Sequence, residues 1–453
     1  MYYSKFNRLS NRDMDKINLT LIGGYGGMGR VFTRFFKANG CSVTIAGPTE
    51  KKGKAVAEEF GVTYLKDNVK ACENADVVVV TVPIRFTNEV IKEVAPHVKP
   101  GALLMDLTSV KQEPVELMKK HSQNGVEVVG CHPVFGPRVG GVEGQVFVLT
   151  PTEKGRWFDW LKKILEDNKA KIVESTPKEH DHAMAIVQGL THYTYISLGK
   201  TFRELGFNVK ESRKFSSPIY DLMLDMIGRI VGQDPSLYAE IQMSNPEIPK
   251  IHAEFLKSAK ELAETVKEKD EKAFINVMTA SAKHFGDTES AMGRSDKAIN
   301  ALVYELKKLN ALVGKKVCVK HIYSGVMHYG EVKEVEPENL VIADGGVERK
   351  LKLSNIRLTS RSETKEYRRE KYGVSARDYS ILTPASADAE FISKLIERLF
   401  DVFQVEVKDV YAGDKIPEGM QSICLGVTQF RDNLKQSDES LTSFFNKVGW
   451  SLR

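Results

Sequence analysis

A histidine in a proline-containing loop is a candidate for acid–base chemistry. His132 lies in segment 130–137 (GCHPVFGP), directly after an apolar stretch that predicts a strand. An imidazole titrates near neutral pH and suits a base that takes a proton from a hydroxyl group. Pro133 and Pro137 restrict the loop backbone. These features fit a catalytic base, and they also fit a structural loop histidine.

A glycine-rich turn between an apolar strand and a helix predicts a site for a dinucleotide pyrophosphate. Its spacing is G-x-G-x-x-G, in which Gly24 permits the tight turn, Gly26 lets a phosphate approach and Gly29 lets helix and strand pack closely. The amide groups and helix dipole at the start of the helix then face the anion. The predicted cofactor-binding residues of the turn are Gly24, Tyr25, Gly26, Gly27, Met28 and Gly29. The alternative is a turn used only for packing.

The end of the second predicted strand bears on the choice between NADP and NAD. An acidic residue there would bond the ribose hydroxyls and repel a 2′-phosphate. Segment 44–52 (TIAGPTEKK) has no acid at the strand end, and Thr49, Lys51 and Lys52 are placed to meet a phosphate. We therefore favour NADP, with NAD as the alternative if the two lysines only begin a solvated helix.

Two further polar side chains stand where a substrate could be bound. Ser109 follows a predicted strand in segment 106–111 (DLTSVK), where it could bond a substrate or a base, or could cap the next helix. Arg229 lies in an apolar helical segment and must be paired, reach solvent or hold an anion. The alternative is that Arg229 only forms an internal salt bridge.

Three histidines of one helical region, at 180, 182 and 192, raise the question of a metal. Their spacing is not HExxH and no cysteines lie nearby, so we expect no metal site.

The elements around these residues change character along the chain. Apolar strands alternate with helices in the first part, which predicts an α/β fold with a Rossmann-type, doubly wound parallel sheet. An all-α domain, a small β-barrel and a C-terminal α+β domain are expected to follow. The expected divisions are a polar tail (1–14), the Rossmann domain (15–177), the helical domain (178–312), the β-barrel (313–359), a linker or exposed helix (360–378) and the α+β domain (379–453).

Composition limits the class of protein. The 453 residues carry a formal net charge of +5, which suits an anionic ligand without demanding nucleic acid. The five cysteines form no CxxC pair, which favours a reducing, cytoplasmic location. No apolar run approaches the ~20 residues of a membrane span, and the polar start is unlike a signal peptide. Met14 is an alternative start.

Five ordered segments together resemble the prephenate dehydrogenase family, in its archaeal and enteric forms. The resemblance covers roughly residues 17–310. The segments are GGYGGMGR at 23–30, DLTSVK at 106–111, CHPVFGP at 131–137, HDHAMAIVQGLTHYTY at 180–195 and SPIYDLMLDMIGRIVGQDPSLYAEI at 217–241.

This resemblance implies roles for particular residues. His132 is implied as the catalytic histidine that bonds the ring hydroxyl, with Ser109 as its partner and a substrate contact. His192 is implied in the substrate and cofactor cleft, and Arg229 as the binder of a prephenate carboxylate. The helical domain is implied to form a homodimer.

The implied reaction is the NAD(P)-dependent oxidative decarboxylation of prephenate to 4-hydroxyphenylpyruvate, a step of tyrosine biosynthesis. Arogenate is the alternative substrate, and an RNA-binding or regulatory protein on an inactive Rossmann scaffold is the alternative class. Asp221 stands where the enteric pattern has a basic residue. No mutase-like helical segment precedes the first strand, so chorismate mutase activity is not expected.

The last domain resembles the ferredoxin-fold anticodon-binding domain of phenylalanyl-tRNA synthetase β chains. Segment 409–419 (DVYAGDKIPEG) is its most telling stretch. We favour a role in regulation, such as tyrosine sensing, or in assembly. A retained RNA contact is the alternative, although many acidic residues interrupt the basic ones.

Overall fold

The computed structural model describes residues 17–336 and 338–453, so the polar tail 1–14 and Met14 lie outside the described residues. The chain divides into two compact units, Met1–Thr288 and Glu289–Arg453. Each is described by itself.

The first unit begins with an eight-stranded sheet. Its order is β3-β2-β1-β4-β5-β6-β7-β8, and all neighbours are parallel except β6 and β7. The strands are β1 (Asn18–Ile22), β2 (Ser42–Ala46), β3 (Thr63–Leu65), β4 (Val77–Val80), β5 (Leu103–Asp106), β6 (Glu127–Pro133), β7 (Val146–Pro151) and β8 (Lys171–Glu174). The helices are α1 (Gly27–Ala38), α2 (Glu50–Phe60), α3 (Asn68–Cys72), α4 (Ile84–Val94), α5 (Gln112–His121) and α6 (Arg156–Asp167). The predicted Rossmann-type sheet is confirmed.

Strand β4 shows why this sequence forms a sheet covered on both faces. Its four valines are consecutive and fully buried. Val77 and Val79 belong to one hydrophobic core and Val78 and Val80 to the other, because successive side chains point to opposite faces. Full burial of a valine side chain stabilises a fold by roughly 1.5–3 kcal/mol, so the strand favours a doubly covered position.

Helices make up the rest of the first unit. A capping box at Thr176 and Glu179 begins α7. A π-helical segment, Ala185–Leu190, then joins α7 to α8 without a break. The helices are α7 (Pro177–Met184), α8 (Thr191–Glu204), α9 (Val209–Ser212), α10 (Pro218–Val231), α11 (Pro235–Ser244), α12 (Ile248–Lys267) and α13 (Glu271–Phe285), and α14 (Thr288–Asn310) follows. No helix of the described residues is long and apolar enough to cross a membrane.

A five-stranded antiparallel sheet occupies the predicted β-rich segment of the second unit. Its order is β12-β11-β10-β9-β13. Among the described residues no ladder joins its outer strands, so closure into a barrel stays a prediction. The strands are β9 (Lys316–His321), β10 (Met327–Val335), β11 (Asn339–Asp344), β12 (Val347–Lys352) and β13 (Ile356–Leu358).

The C-terminal part has a β-α-β-β-α-β order, which is that of ferredoxin-like folds. Its antiparallel sheet has the order β15-β16-β14-β17. The elements are β14 (Val374–Pro384), α16 (Ala389–Leu399), β15 (Val402–Tyr411), β16 (Met420–Phe430), α17 (Leu434–Lys447) and β17 (Ser451–Leu452). The role of this domain stays a prediction.

Most of segment 360–378, expected as a linker or an exposed helix, is helix α15 (Arg361–Tyr372). Arg368 is buried on it and pairs with Asp401 and Asp432 at 2.6 and 2.8 Å. Its guanidinium also lies 3.9 Å from the ring centre of Phe430 and 5.0 Å from that of Tyr329. Arg368 thus ties the two sheets of the second unit together.

Candidate active site

His132 was predicted to follow a strand, but it lies inside β6, one residue before the strand ends. It is buried at the start of a row of three hydrogen-bonded side chains. Its Nδ1 lies 2.8 Å from Nε2 of His180. Nδ1 of His180 lies 2.7 Å from Oδ1 of Asp181. Residues 48 positions apart in sequence therefore meet in one hydrogen-bonded row.

The start of helix α5 holds the far end of this row. The backbone amides of Lys111 and Gln112 donate to the two carboxylate oxygens of Asp181 at 2.8 and 3.0 Å. A carboxylate is stabilised at a helix N-terminus by the exposed amides and the helix dipole. Strand β6, helix α5 and helix α7 are thereby joined around His132.

A fully buried ion pair lies beside the row. The ammonium of Lys111 contacts the carboxylate of Asp106 at the end of β5, and lies 3.1 Å from the hydroxyl of Thr108. Oδ1 of Asp106 has no hydrogen-bond partner among the described residues. The motif DLTSVK therefore supplies a buried charge pair in addition to Ser109.

Burial lowers the pKa of three histidines of this site. Burial lowers the pKa of His132 well below its ordinary value, and the nearby His180 and Lys111 lower it further. Burial also lowers the pKa of His180, against the opposing hydrogen bond to Asp181. Burial lowers the pKa of His192 as well. A neutral imidazole is the form that accepts a proton.

Ser109 lies next to this network with its side chain partly exposed. The helix-cap alternative is wrong, because α5 starts at Gln112 with Lys111 in the cap position. Within the part of the chain that the structure describes, the Ser109 hydroxyl has no hydrogen-bond partner. It is available to a ligand.

The π-helical segment brings a glutamine to the open nitrogen of His132. Nε2 of Gln188 lies 3.4 Å from Nε2 of His132, and the buried Oε1 of Gln188 has no partner among the described residues. One turn further on, the ring of His192 packs against Tyr238 at 4.6 Å between ring centres. Gln188 was not among the predicted site residues, because nothing in its spacing marks it.

Arg229 carries an exposed guanidinium on helix α10. No salt bridge or side-chain hydrogen bond involves it in the described ranges, so the internal salt bridge considered for it is not seen. Burial raises the pKa of Tyr238 and the positive charge of Arg229 opposes that rise, which places Arg229 near the ring that packs on His192. No contact joins Arg229 directly to His132 within the described residues. Asp221 pairs with Arg213 at 2.9 Å.

A groove of about 1160 Å³ runs along the glycine-rich turn. Tyr25 and Gly26 line it together with Thr49 and Lys52 from the end of β2 and the start of α2. Lys66, which the spacing of residues did not reveal, also lines the groove because β3 lies beside β2. Lys51 does not line it.

The three glycines of the motif differ in what a side chain would meet. A Cβ on Gly24 would lie 2.5 Å from Ile45, and one on Gly29 would lie 2.3 Å from the carbonyl oxygen of Gly23. A Cβ on Gly26 would meet nothing closer than 3.3 Å. Packing thus explains Gly24 and Gly29, whereas a Cβ on Gly26, at the N-terminus of α1, would have one close neighbour, the carbonyl oxygen of Gly23. The absence of a side chain at Gly26 fits the approach of a pyrophosphate to the backbone.

The other residues of the turn have structural contacts. The hydroxyl of Tyr25 accepts a hydrogen bond from the backbone amide of Thr49 at 3.2 Å, which joins the turn to the end of β2. The side chain of Met28 packs against the hydrophobic core. A Cβ on Gly27 would lie 3.3 Å from Pro137. No group of three or more potential metal ligands occurs in the described residues.

One ion pair links the rim of the groove to the helical region. The guanidinium of Arg85, at the start of α4, contacts the carboxylate of Glu240 on α11. The backbone amide of Arg85 also donates to Glu240 at 3.3 Å.

Comparisons with known proteins point to one family. Residues 32–174 match the family model for the nucleotide-binding domain of prephenate dehydrogenase, and residues 176–280 match that for its dimerization domain. A probable arogenate/prephenate dehydrogenase of Methanocaldococcus jannaschii is 42% identical over 448 residues, which cover 97% of this chain and 100% of the relative. The T-protein of Haemophilus influenzae is 31% identical over 66% of this chain and 74% of its own length.

A solved structure shares the fold of the first unit. The prephenate dehydrogenase of Aquifex aeolicus in complex with hydroxyphenyl propionate and NAD+ aligns with a TM-score of 0.50 and 20% identity. The alignment covers 61% of this chain and 100% of that one.

Proposed function

Because this chain belongs to the prephenate dehydrogenase family, we propose that it oxidises and decarboxylates prephenate to 4-hydroxyphenylpyruvate. The observation that carries the proposal is the buried His132, whose Nε2 is approached only by the Gln188 amide among the described residues. Burial also lowers the pKa of His132, which favours the neutral imidazole. A base in this position can accept the proton of a ring hydroxyl. The family shows the class of enzyme, and the choice of substrate and cofactor is our proposal.

The residues around His132 have distinct tasks in this reaction. Nε2 of His132 takes the proton of the C4 hydroxyl, and Ser109 bonds the same oxygen. A bound nicotinamide supplies the acceptor for the C4 hydrogen and its electron pair. The C1 carboxylate then leaves as CO2, its bonding electrons make the ring aromatic, and the phenolate oxygen takes back the proton from His132. Arg229 binds the side-chain carboxylate, because the carboxylate that departs must not be held.

The second candidate substrate is arogenate, which has an amino group in place of the side-chain keto group. The name of the Methanocaldococcus relative includes both substrates. Arg229 can bind the side-chain carboxylate that both compounds share, so it does not distinguish them. Discrimination must come from groups that contact the keto or amino position.

For the cofactor we propose NADP+ over NAD+. Lys52 and Lys66 line the groove near the end of β2, where the adenosine ribose of a Rossmann-bound dinucleotide lies. Asp67 also lines the groove, but its carboxylate accepts the backbone amide of Lys70 at 3.1 Å and so caps α3. Two lysines and the Thr49 hydroxyl thus remain for a 2′-phosphate.

We also propose a homodimer formed through the helical region. Helices α12 and α13 have apolar side chains on the surface of the described chain, and one family match is named a dimerization domain. These exposed residues are Leu256, Leu262, Val266, Ile275, Val277, Met278 and Phe285. A second copy of the same face would remove this apolar surface from water. Light scattering should give twice the mass of one chain for the wild-type protein. Met278→Glu should lower this mass, whereas the control Lys283→Glu, also on α13, should leave it unchanged.

A steady-state assay tests the reaction. Prephenate and arogenate are each tried with NAD+ and NADP+, with and without tyrosine, and CO2 release is measured alongside cofactor reduction. Turnover of prephenate is expected, with loss of nearly all activity in His132→Asn while the cofactor still binds. Turnover of neither substrate by the folded wild-type protein would refute the proposed function. Undiminished turnover in His132→Asn would refute the assignment of the base.

A further inference from the structure

The row His132–His180–Asp181 has a direction that follows from its buried end. Both oxygens of the Asp181 carboxylate accept backbone amides, from Lys111 and Gln112. Burial acts to raise the pKa of Asp181, but the hydrogen bonds from His180, Gln112 and Lys111 together lower it. Asp181 is therefore an oriented anion, which only accepts hydrogen bonds.

The anion sets the tautomers of both histidines. Nδ1 of His180, 2.7 Å from Asp181, must carry the hydrogen that it donates to the carboxylate. Neutral His180 then has a lone pair on Nε2, which can only accept. Nδ1 of His132, 2.8 Å away, must in turn carry a hydrogen and donate it. Nε2 of His132 is left with a lone pair, to which the Gln188 amide can donate.

We propose that Asp181 and His180 are positioning residues that hold His132 in the tautomer whose Nε2 can accept a proton. When Nε2 takes the proton of the substrate hydroxyl, the new positive charge on His132 faces His180, and Asp181 offsets this charge through His180. The inference rests on the proposed function for the identity of the proton donor. The tautomers themselves follow from the geometry without any substrate.

The other charged groups near the row do not replace Asp181. Lys111 and Asp106 are paired with each other and are both fully buried. They act on His180 in opposite directions. Asn245 donates to the backbone carbonyl of Asp181 at 2.7 Å and contributes no charge. Among the described residues, Asp181 is the one charged side chain that is hydrogen-bonded to His180.

Asp181→Asn is the first test. An amide that donates to His180 would force hydrogens onto Nε2 of both rings and remove the base. We expect kcat to fall by roughly 10²–10⁴-fold, with KM and the cofactor dissociation constant within about twofold. The acid limb of the pH profile of residual kcat/KM should move to lower pH, because the protonated base has lost its counter-charge. The proposal would be overturned if the acid limb did not move and if the loss of kcat equalled the fraction of the variant that fails to fold.

Substitutions of His180 test the direction of the row. A glutamine can donate to Asp181 with its amide nitrogen and accept from His132 with its oxygen, whereas a leucine can do neither. His180→Gln should therefore retain far more kcat than His180→Leu. Asn245→Ala removes the hydrogen bond to the backbone carbonyl of Asp181 and leaves the carboxylate unchanged. This variant should leave the acid limb of the pH profile in place. Equal losses in the glutamine and leucine variants would contradict the proposal.

Histidine ¹⁵N chemical shifts in the ligand-free enzyme give a readout that does not depend on turnover. The wild-type protein should show His132 with its hydrogen on Nδ1, and Asp181→Asn should lose this tautomer. A wild-type His132 with its hydrogen on Nε2 would overturn the inference. Because no substrate is present, this result is independent of whether prephenate is the true substrate.

Discussion

Replacing Gly26 by alanine should weaken dinucleotide binding while leaving the fold intact. Gly26 has φ −73° and ψ 177°, a conformation open to any residue, and a Cβ there would lie 3.3 Å from its nearest neighbour. The free energy of unfolding should change by less than about 1 kcal/mol. The methyl group would occupy the space proposed for the pyrophosphate. Loss of one charge-assisted hydrogen bond, worth about 1.5–3 kcal/mol, would raise the dissociation constant at least about tenfold.

Gly29→Ala is the matched control for this prediction. Its Cβ would lie 2.3 Å from the Gly23 carbonyl oxygen, so backbone must move, and overpacking of this kind costs about 1–3 kcal/mol. Urea unfolding measures the stability of both variants, and calorimetric titration with NADP+ measures binding. Wild-type affinity in a folded Gly26→Ala protein would show that the dinucleotide does not lie over this turn.

Three further outcomes are expected. Lys111→Met should leave the Asp106 carboxylate buried without its partner and lower the free energy of unfolding by about 3–5 kcal/mol in urea titrations; a loss below about 1 kcal/mol would contradict the ion pair. Lys66→Ala should weaken NADP+ binding more than NAD+ binding in calorimetric titrations, whereas Lys51→Ala, off the groove, should weaken neither. The lowered pKa of His132 means that below about pH 6.5 the unfolded chain binds a proton that the native state does not, so stability falls as pH falls. This histidine contributes at most about 1.4 kcal/mol per pH unit, and urea unfolding of His132→Asn between pH 5 and 7 should show a shallower decline than wild type.

Local sequence patterns were sufficient for much of the first unit. The consecutive valines of β4 and the glycine-rich turn indicate a parallel sheet without any long-range information. The glycine-rich turn lies between β1 and α1, as predicted. Other strands carry a weaker pattern: β3 has three residues and β8 has four. Short strands whose side chains are mostly exposed have little hydrophobic signal.

The network around His132 could not be predicted from spacing. Asp181 meets the amide of Lys111 across 70 residues of sequence, and His180 meets His132 across 48. Such contacts depend on how helix α7 packs against the sheet, which local propensity does not specify. Lys66 was not predicted as a cofactor-binding residue for the same reason. It lines the groove because β3 pairs with β2.

The π-helical segment between α7 and α8 changes the direction in which the side chains of α8 point relative to those of α7. His180 and His192 are twelve positions apart, and at about 100° per residue an unbroken α-helix would point them about 120° apart. A π turn absorbs one extra residue, which reduces the difference to roughly 20°. The two imidazoles can therefore project toward the same side of one continuous rod. A one-residue deletion within Ala185–Leu190 would rotate helix α8 about its axis by about 100° relative to α7. This stretch should therefore tolerate insertions and deletions far less well than a surface loop of equal size.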